Sequence, residues 1–210
     1  MNKKIKVVNK QGNANLGRNN MENKNYTFST YNEQTDMGIF QALKECNPKN
    51  KKPIFVCIGS DLVLGDSLGP LVGTFLKNKG VQSYVYGTLN FPVTAKEIEY
   101  VRTYLKQMHP SSIIIAIDAA IGNADDVGLI RVLNKGLKPG LGVDKNLGTV
   151  GDNSIIGIVA GKSLQNYNLF NMTRLNLIYK MAEQISNGIE KYLLYLTENL
   201  SLISQNSFGA

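Results

Sequence analysis

Near the middle of the chain, residues 111–118 read SSIIIAID, and earlier residues 53–59 read PIFVCIG. These two stretches decide the fold, because neither of them alternates between apolar and polar residues. An uninterrupted run of β-branched residues is typical of a strand that is buried on both faces. Both stretches therefore predict strands of a parallel sheet that is covered by helices.

Weaker patterns predict the rest of the sheet and its helices. Further strands are expected over residues 82–88, at an edge of the sheet, and over residues 128–133 and 154–160. Helices are expected over residues 36–47, 67–78, 94–108 and 171–200, and Gly188 is a candidate position for a kink or break in the last one. This order predicts an α/β fold, a three-layer sandwich around a mostly parallel sheet of about five strands.

Composition along the chain predicts where the folded domain begins and ends. Residues 1–32 are rich in Asn, Lys and Gly, and they offer too little apolar surface to offset the entropy of ordering them. We therefore predict a disordered basic tail over residues 1–32, a single α/β domain over 33–200 and a frayed C-terminus over 201–210.

Charge and cysteine content exclude several functional classes. The 210 residues include 23 Lys+Arg and 16 Asp+Glu, a net charge of +7, yet no basic run is interleaved with aromatic residues, so no nucleic-acid partner is expected. No apolar run approaches the roughly 18 residues of a membrane helix. Cys46 and Cys57 are too few for a disulfide scaffold, and Cys57 is predicted to be a core thiol. We expect a cytoplasmic protein, with the Tyr and Phe side chains serving as packing residues.

Two acids follow the predicted central strands. Asp66 lies in the turn after the first of them, and Asp118 ends the second. Ligands of doubly wound sheets bind beyond the carboxyl ends of the strands, where the connections reverse direction, so the two carboxyl groups are expected to converge there. Paired carboxyls can share a proton, and then one acts as a base on water while the other donates a hydrogen bond to a carbonyl.

Purely structural roles are an alternative for Asp66 and Asp118. Asp66 is well placed to cap the helix that follows it, and Asp118 can bind loop N–H groups. Gly59, Gly65 and Gly69 invite a phosphate-loop interpretation, but their spacing is neither the dinucleotide fingerprint nor a Walker motif. The acidic side chains in the same loop would also repel a bound phosphate.

Four motifs in order carry a resemblance to a known family. They are GDSLGP at residues 65–70, IDAAIG at 117–122, KPGLGVDK at 138–145 and VGDNSI at 150–155. Over residues 36–195 the chain resembles the YyaC family of sporulation proteins. That family is similar to the spore germination protease and, more remotely, to the hydrogenase maturation endopeptidases. The resemblance implies a phosphorylase/hydrolase-like α/β fold and a sporulation-associated endopeptidase of a spore-forming bacterium.

The resemblance also implies roles for particular residues. The proposed catalytic acids of the germination protease fall on Asp66 and Asp118, the pair already reached from topology. The loop over residues 139–143 would line the same cleft, so Gly140, Gly142 and the adjoining Asp144 are expected to bind substrate. No cofactor or metal is expected, although the three acids are suitable oxygen ligands for a hard cation. His109, the only histidine, lies at the opposite edge of the sheet and does not match a metal ligand.

Three functional hypotheses remain at this point. The first is an endopeptidase that acts on protein or peptide substrates such as small spore proteins, with no nucleic-acid or membrane partner. The second is a non-catalytic binding or regulatory protein of sporulation on a peptidase-like scaffold. The third is a small-molecule or nucleotide binder that uses the same cleft.

Overall fold

Six strands form one mixed sheet, with the two stretches that decide the fold side by side in it. The computed structural model describes residues 24–139, 148–162 and 173–207, and it describes side chains up to residue 199. The strands are β1 (Asn25–Ser29), β2 (Pro53–Cys57), β3 (Val85–Tyr86), β4 (Ile113–Gly122), β5 (Leu129–Leu133) and β6 (Asn153–Gly161). Their order across the sheet is β1-β5-β6-β4-β2-β3.

Strand direction separates the sheet into a parallel part and an antiparallel part. β3, β2, β4 and β6 run parallel to one another, as the sequence predicts. β5 runs antiparallel to β6, and β1 antiparallel to β5. The chain has only residues 123–128 between β4 and β5, which is too short for a parallel crossover of about a dozen residues or more. The fold is therefore mixed α/β.

Helices cover both faces of the sheet. They are α1 (Thr35–Cys46), α2 (Leu68–Asn78), α3 (Ile98–Met108) and α4 (Leu175–Ser207), with 3₁₀ turns at Leu64–Ser67 and Ala124–Asp126. Alternate side chains of β2 point to opposite faces. Phe55 and Cys57 join the core formed with α1, α2 and α4, whereas Ile54 and Val56 join the core formed with α3. None of the helices in the described ranges combines the length and apolarity needed to cross a membrane.

Two of the predicted boundaries differ from the structure. Residues 25–29 lie inside the segment predicted as a tail, yet they form β1, where Tyr26 and Phe28 pack against the main core. The two aromatic residues alternate with polar residues, as expected for a strand with one buried face. The prediction missed this pattern because it spans only five residues of a segment that is otherwise polar. α4 also continues to Ser207, into the segment predicted to fray. Residues 1–23 of the predicted tail lie outside the described residues.

Gly188 does not break α4, which is continuous across it. A Cβ placed on this glycine would lie 2.8 Å from the carbonyl oxygen of Asp36 and 2.8 Å from the Cβ of Ile39. Gly188 is therefore the point where α4 approaches α1 too closely for any side chain.

We predict that Gly188→Ala destabilises the protein by about 1–3 kcal/mol, because overpacking this contact outweighs the gain of about 1 kcal/mol in helix propensity. Urea unfolding measures the difference. Glu183→Ala, at an exposed position of the same helix, is the matched control and should change the free energy of unfolding by less than about 0.5 kcal/mol. A stabilised Gly188→Ala variant would contradict the packing argument.

Candidate active site

Asp118 lies at the point where β4 loses its neighbour β2. The last pair of residues between these strands is Cys57 and Ile117, and the N–H of Ile58 donates to the carbonyl of Ile117 at 2.8 Å. Asp118 comes next. The prediction that Asp118 ends the strand is wrong, because β4 continues to Gly122 alongside the longer strand β6. Asp118 ends only the part of β4 that is paired with β2.

Backbone hydrogen bonds within the loop over residues 60–66 hold Asp66 in place. The N–H of Ser60 donates to the carbonyl of Asp66 at 3.1 Å, and the N–H of Asp66 donates to the carbonyl of Val63 at 2.9 Å. Gly59 has a φ of 140°, and a Cβ there would lie 2.0 Å from the Asp66 carbonyl oxygen. Only glycine fits this position, so the loop fixes the backbone of Asp66.

A second glycine brings α2 directly onto the end of β2. A Cβ on Gly69 would lie 2.0 Å from the carbonyl oxygen of Ile58. Two of the three glycines that suggested a phosphate loop thus have a packing role. Neither the 3₁₀ turn at Leu64–Ser67 nor α2 has a side-chain cap, so the Asp66 carboxyl is not a helix cap.

Both carboxyl groups have raised pKa values, and the charge of Asp66 acts on Asp118. Burial raises the pKa of Asp118 to about 8, with the charge of Asp66 as the second cause, while the N–H of Ala119, which donates to Oδ1 at 2.8 Å, acts in the opposite direction. Burial also raises the pKa of Asp66, to about 6, against a backbone hydrogen bond from Ser60. Both carboxyls are therefore shifted toward their neutral forms, and their pairing as catalytic groups stays a prediction.

The residues of the predicted substrate loop are only partly described. Gly140, Gly142 and Asp144 lie outside the described residues. Within residues 24–139, 148–162 and 173–207 no three His, Cys, Asp or Glu side chains are grouped so that they could hold a metal. His109 follows α3, with its Nε2 2.7 Å from the hydroxyl of Tyr86, and so has a partner of its own at a helix end.

Sequence reasoning missed a cavity of about 600 Å³ at the carboxyl end of β3. We call it the side pocket. Its lining residues are Thr74, Lys77, Asn78, Val85, Tyr86, Gly87, Thr88, Asn90, Phe91 and Val93. Phe91, expected to be a packing residue, is 81% exposed. The turn-forming Asn90 before it and Pro92 after it were the available signals of a loop tip.

The fold and the site together define an α/β protein with a coupled carboxyl pair at the switch point of its sheet. The chain belongs to the family described as "Protein of unknown function (DUF1256)", whose sequence profile matches residues 27–188. It is also similar to the "Uncharacterized protein YyaC" of Bacillus subtilis (strain 168), with 42% identity over 140 residues, which cover 66% of this chain and 68% of the relative. The resemblance to YyaC is thereby confirmed.

We predict that Asp118→Asn changes the pH dependence of stability. The pKa of Asp118 is about 8 in the folded protein and about 4 in an unfolded chain. Between these two pKa values the Asp118 carboxyl is ionised in the unfolded chain but still protonated in the folded protein. The free energy of unfolding therefore falls as the pH rises from about 4 to about 8. Asn cannot ionise, so the variant should gain roughly 3–4 kcal/mol relative to wild type between pH 5 and pH 8.

Chemical unfolding at a series of pH values measures this difference. Asp61→Asn is the control, since Asp61 belongs to the same loop as Asp66 but is exposed. Its difference from wild type should stay nearly constant with pH. If the Asp118→Asn difference is equally flat, the carboxyl of Asp118 is not buried as described.

Proposed function

We propose that the protein is an endopeptidase that hydrolyses peptide bonds of spore proteins, with Asp66 and Asp118 activating water. The observation that carries the proposal is a pair of half-buried carboxyl groups whose pKa values are both raised by burial, with the charge of Asp66 adding to the shift of Asp118. Such a pair supplies a base and an acid at the same place, as peptide hydrolysis requires.

The two pKa values suggest which residue does what. Asp66, with the lower pKa, is the charged partner and takes a proton from water as the water oxygen attacks the carbonyl carbon. Asp118 keeps its proton and donates a hydrogen bond to the carbonyl oxygen, where negative charge develops. When the C–N bond breaks, the proton held by Asp66 passes to the leaving amine. Both carboxyls then return to their starting states, and no cofactor is consumed.

The biological setting is proposed from similarity. The relative in Bacillus subtilis comes from a spore-forming organism, which fits a role in sporulation or germination and small spore proteins as substrates. We place the protein in the cytoplasm of the forespore or the mother cell. In the same proposal, the helices on both faces of the sheet make the fold a three-layer, phosphorylase/hydrolase-like sandwich, and Gly140, Gly142 and Asp144 line the substrate cleft.

One observation favours a second candidate, a non-catalytic binding protein on the same scaffold. The loop that carries Asp66 presents Leu62, which is 88% exposed, followed by Val63 and Leu64. An exposed apolar tip beside the acids suits attachment to a partner protein as well as contact with a substrate. The activity of the two Asp variants separates these functions.

We predict that Asp66→Asn and Asp118→Asn each lower kcat for cleavage of purified small spore proteins by about 10²–10⁴-fold, the range of general acid–base catalysis. Cleavage is followed by mass spectrometry, with circular dichroism to establish that each variant is folded. Asp61→Asn should cleave at the wild-type rate. If the folded wild-type protein and both folded variants cleave none of these proteins, the binding protein is favoured.

We also predict a bell-shaped pH profile of kcat/KM with limbs near pH 6 and pH 8. Below the first limb Asp66 becomes protonated and loses its function as a base, and above the second Asp118 loses the proton that it donates. Initial rates from pH 4 to pH 10 at constant ionic strength provide the measurement. Activity that keeps rising above pH 9 is incompatible with Asp118 as the acid.

A further inference from the structure

We propose that the side pocket binds an apolar side chain of the peptide substrate whose scissile bond lies at Asp66 and Asp118. This inference rests on the proposed function and names the specificity site. β3 runs parallel to β2 and β4, so its carboxyl end lies at the same edge of the sheet as the two acids. The pocket follows β3 at that edge.

One wall of the pocket is set by close backbone packing. A Cβ on Gly73 of α2 would lie 1.8 Å from the carbonyl oxygen of Gly87, and a Cβ on Gly87 would lie 1.9 Å from the carbonyl oxygen of Cys57. Gly87 also has a φ of 90°, a conformation that favours glycine. The helix, the chain after β3 and the end of β2 are therefore in direct backbone contact, and this wall cannot collapse into the pocket.

The opposite wall is a closed turn that is tied to α2. The N–H of Thr88 donates to the carbonyl of Phe91 at 3.0 Å, and the N–H of Phe91 donates to the Thr88 hydroxyl at 3.2 Å. The N–H of Leu89 donates to the hydroxyl of Thr74 at 2.9 Å. These bonds fix the backbone of the turn that carries Phe91, whose side chain lines the cavity and is 81% exposed.

A short chain of contacts connects the pocket to the acids. Val93, which lines the pocket, forms a parallel bridge with Ile58, and its carbonyl accepts the N–H of Gly59 at 3.0 Å. Gly59 is the residue that packs on the Asp66 carbonyl. The pocket is therefore joined to the loop of Asp66 through Val93, and in this proposal a bound side chain lies a few residues from the scissile bond.

The lining chemistry selects the occupant. Val85, Tyr86, Phe91 and Val93 form an apolar surface, the threonines and asparagines are uncharged, and Lys77 is the single charged residue of the lining. A cationic side chain would lose its hydration beside apolar walls and meet a like charge. A cavity of about 600 Å³ lies within the range of small-ligand sites and accommodates a large residue such as Phe or Leu.

N-acetyl-phenylalaninamide is a direct probe, because it carries the side chain without a cleavable peptide segment. We expect its titration into the full-length protein, followed by amide NMR spectra, to shift the signals of residues 87–93, with N-acetyl-alaninamide and N-acetyl-lysinamide causing smaller shifts. Phe91→Ala should raise the Kd for the phenylalanine probe at least about 5-fold. Tyr100→Ala, which removes an aromatic that is 72% exposed and lies outside the pocket, should leave this Kd unchanged.

The inference is overturned if the alanine probe binds equally well, if the shifts lie elsewhere, or if Phe91→Ala has no effect. Cleavage assays separate this result from the proposed function. If small spore proteins are cleaved, Phe91→Ala should raise KM with little change in kcat, whereas Asp66→Asn lowers kcat. Binding of the probe without any cleavage by wild type would support the pocket and refute the peptidase, and cleavage without binding would do the reverse.

Discussion

Direct contact between the backbone of α2 and the ends of β2 and β3 is the constraint on which the rest of the structure depends. Gly69 and Gly73 let the helix reach the carbonyl oxygens of Ile58 and Gly87. Side chains normally hold a helix farther from a sheet, and their absence here lowers the first turn of α2 onto the strand ends. Asp66 precedes that turn, so the same contact that packs the helix also delivers the carboxyl to the edge of the sheet.

The carboxyl pair is a cost to stability that the protein carries at neutral pH. Asp66 and Asp118 are both shifted toward the neutral form by burial, and the charge on the first adds to the shift of the second. Groups arranged only for stability would be hydrated or paired with cations. Perturbed acids of this kind are concentrated at functional sites, and here the loop that holds Asp66 is itself braced by hydrogen bonds.

Much of the site could be predicted from the sequence, because it follows from strand order. Two buried strands, each followed by an acid, were enough to expect Asp66 and Asp118 at one edge. The end of β4 could not be predicted in this way, since it depends on the length of its other neighbour, β6. The antiparallel direction of β5 was accessible in principle from the short link over residues 123–128. The side pocket was not, because it arises from backbone packing around Gly73 and Gly87 rather than from any side-chain pattern.

The unequal lengths of the parallel strands give the edge of the sheet the shape of a ledge. β2 pairs with β4 only as far as Cys57 and Ile117, whereas β4 and β6 continue together to Gly122 and Gly161. Asp118 stands at the inner corner of this ledge, with the open side facing the ends of β2 and β3. A β2 strand two residues longer would cover Asp118, so it is the shortness of β2 that leaves this carboxyl at the corner.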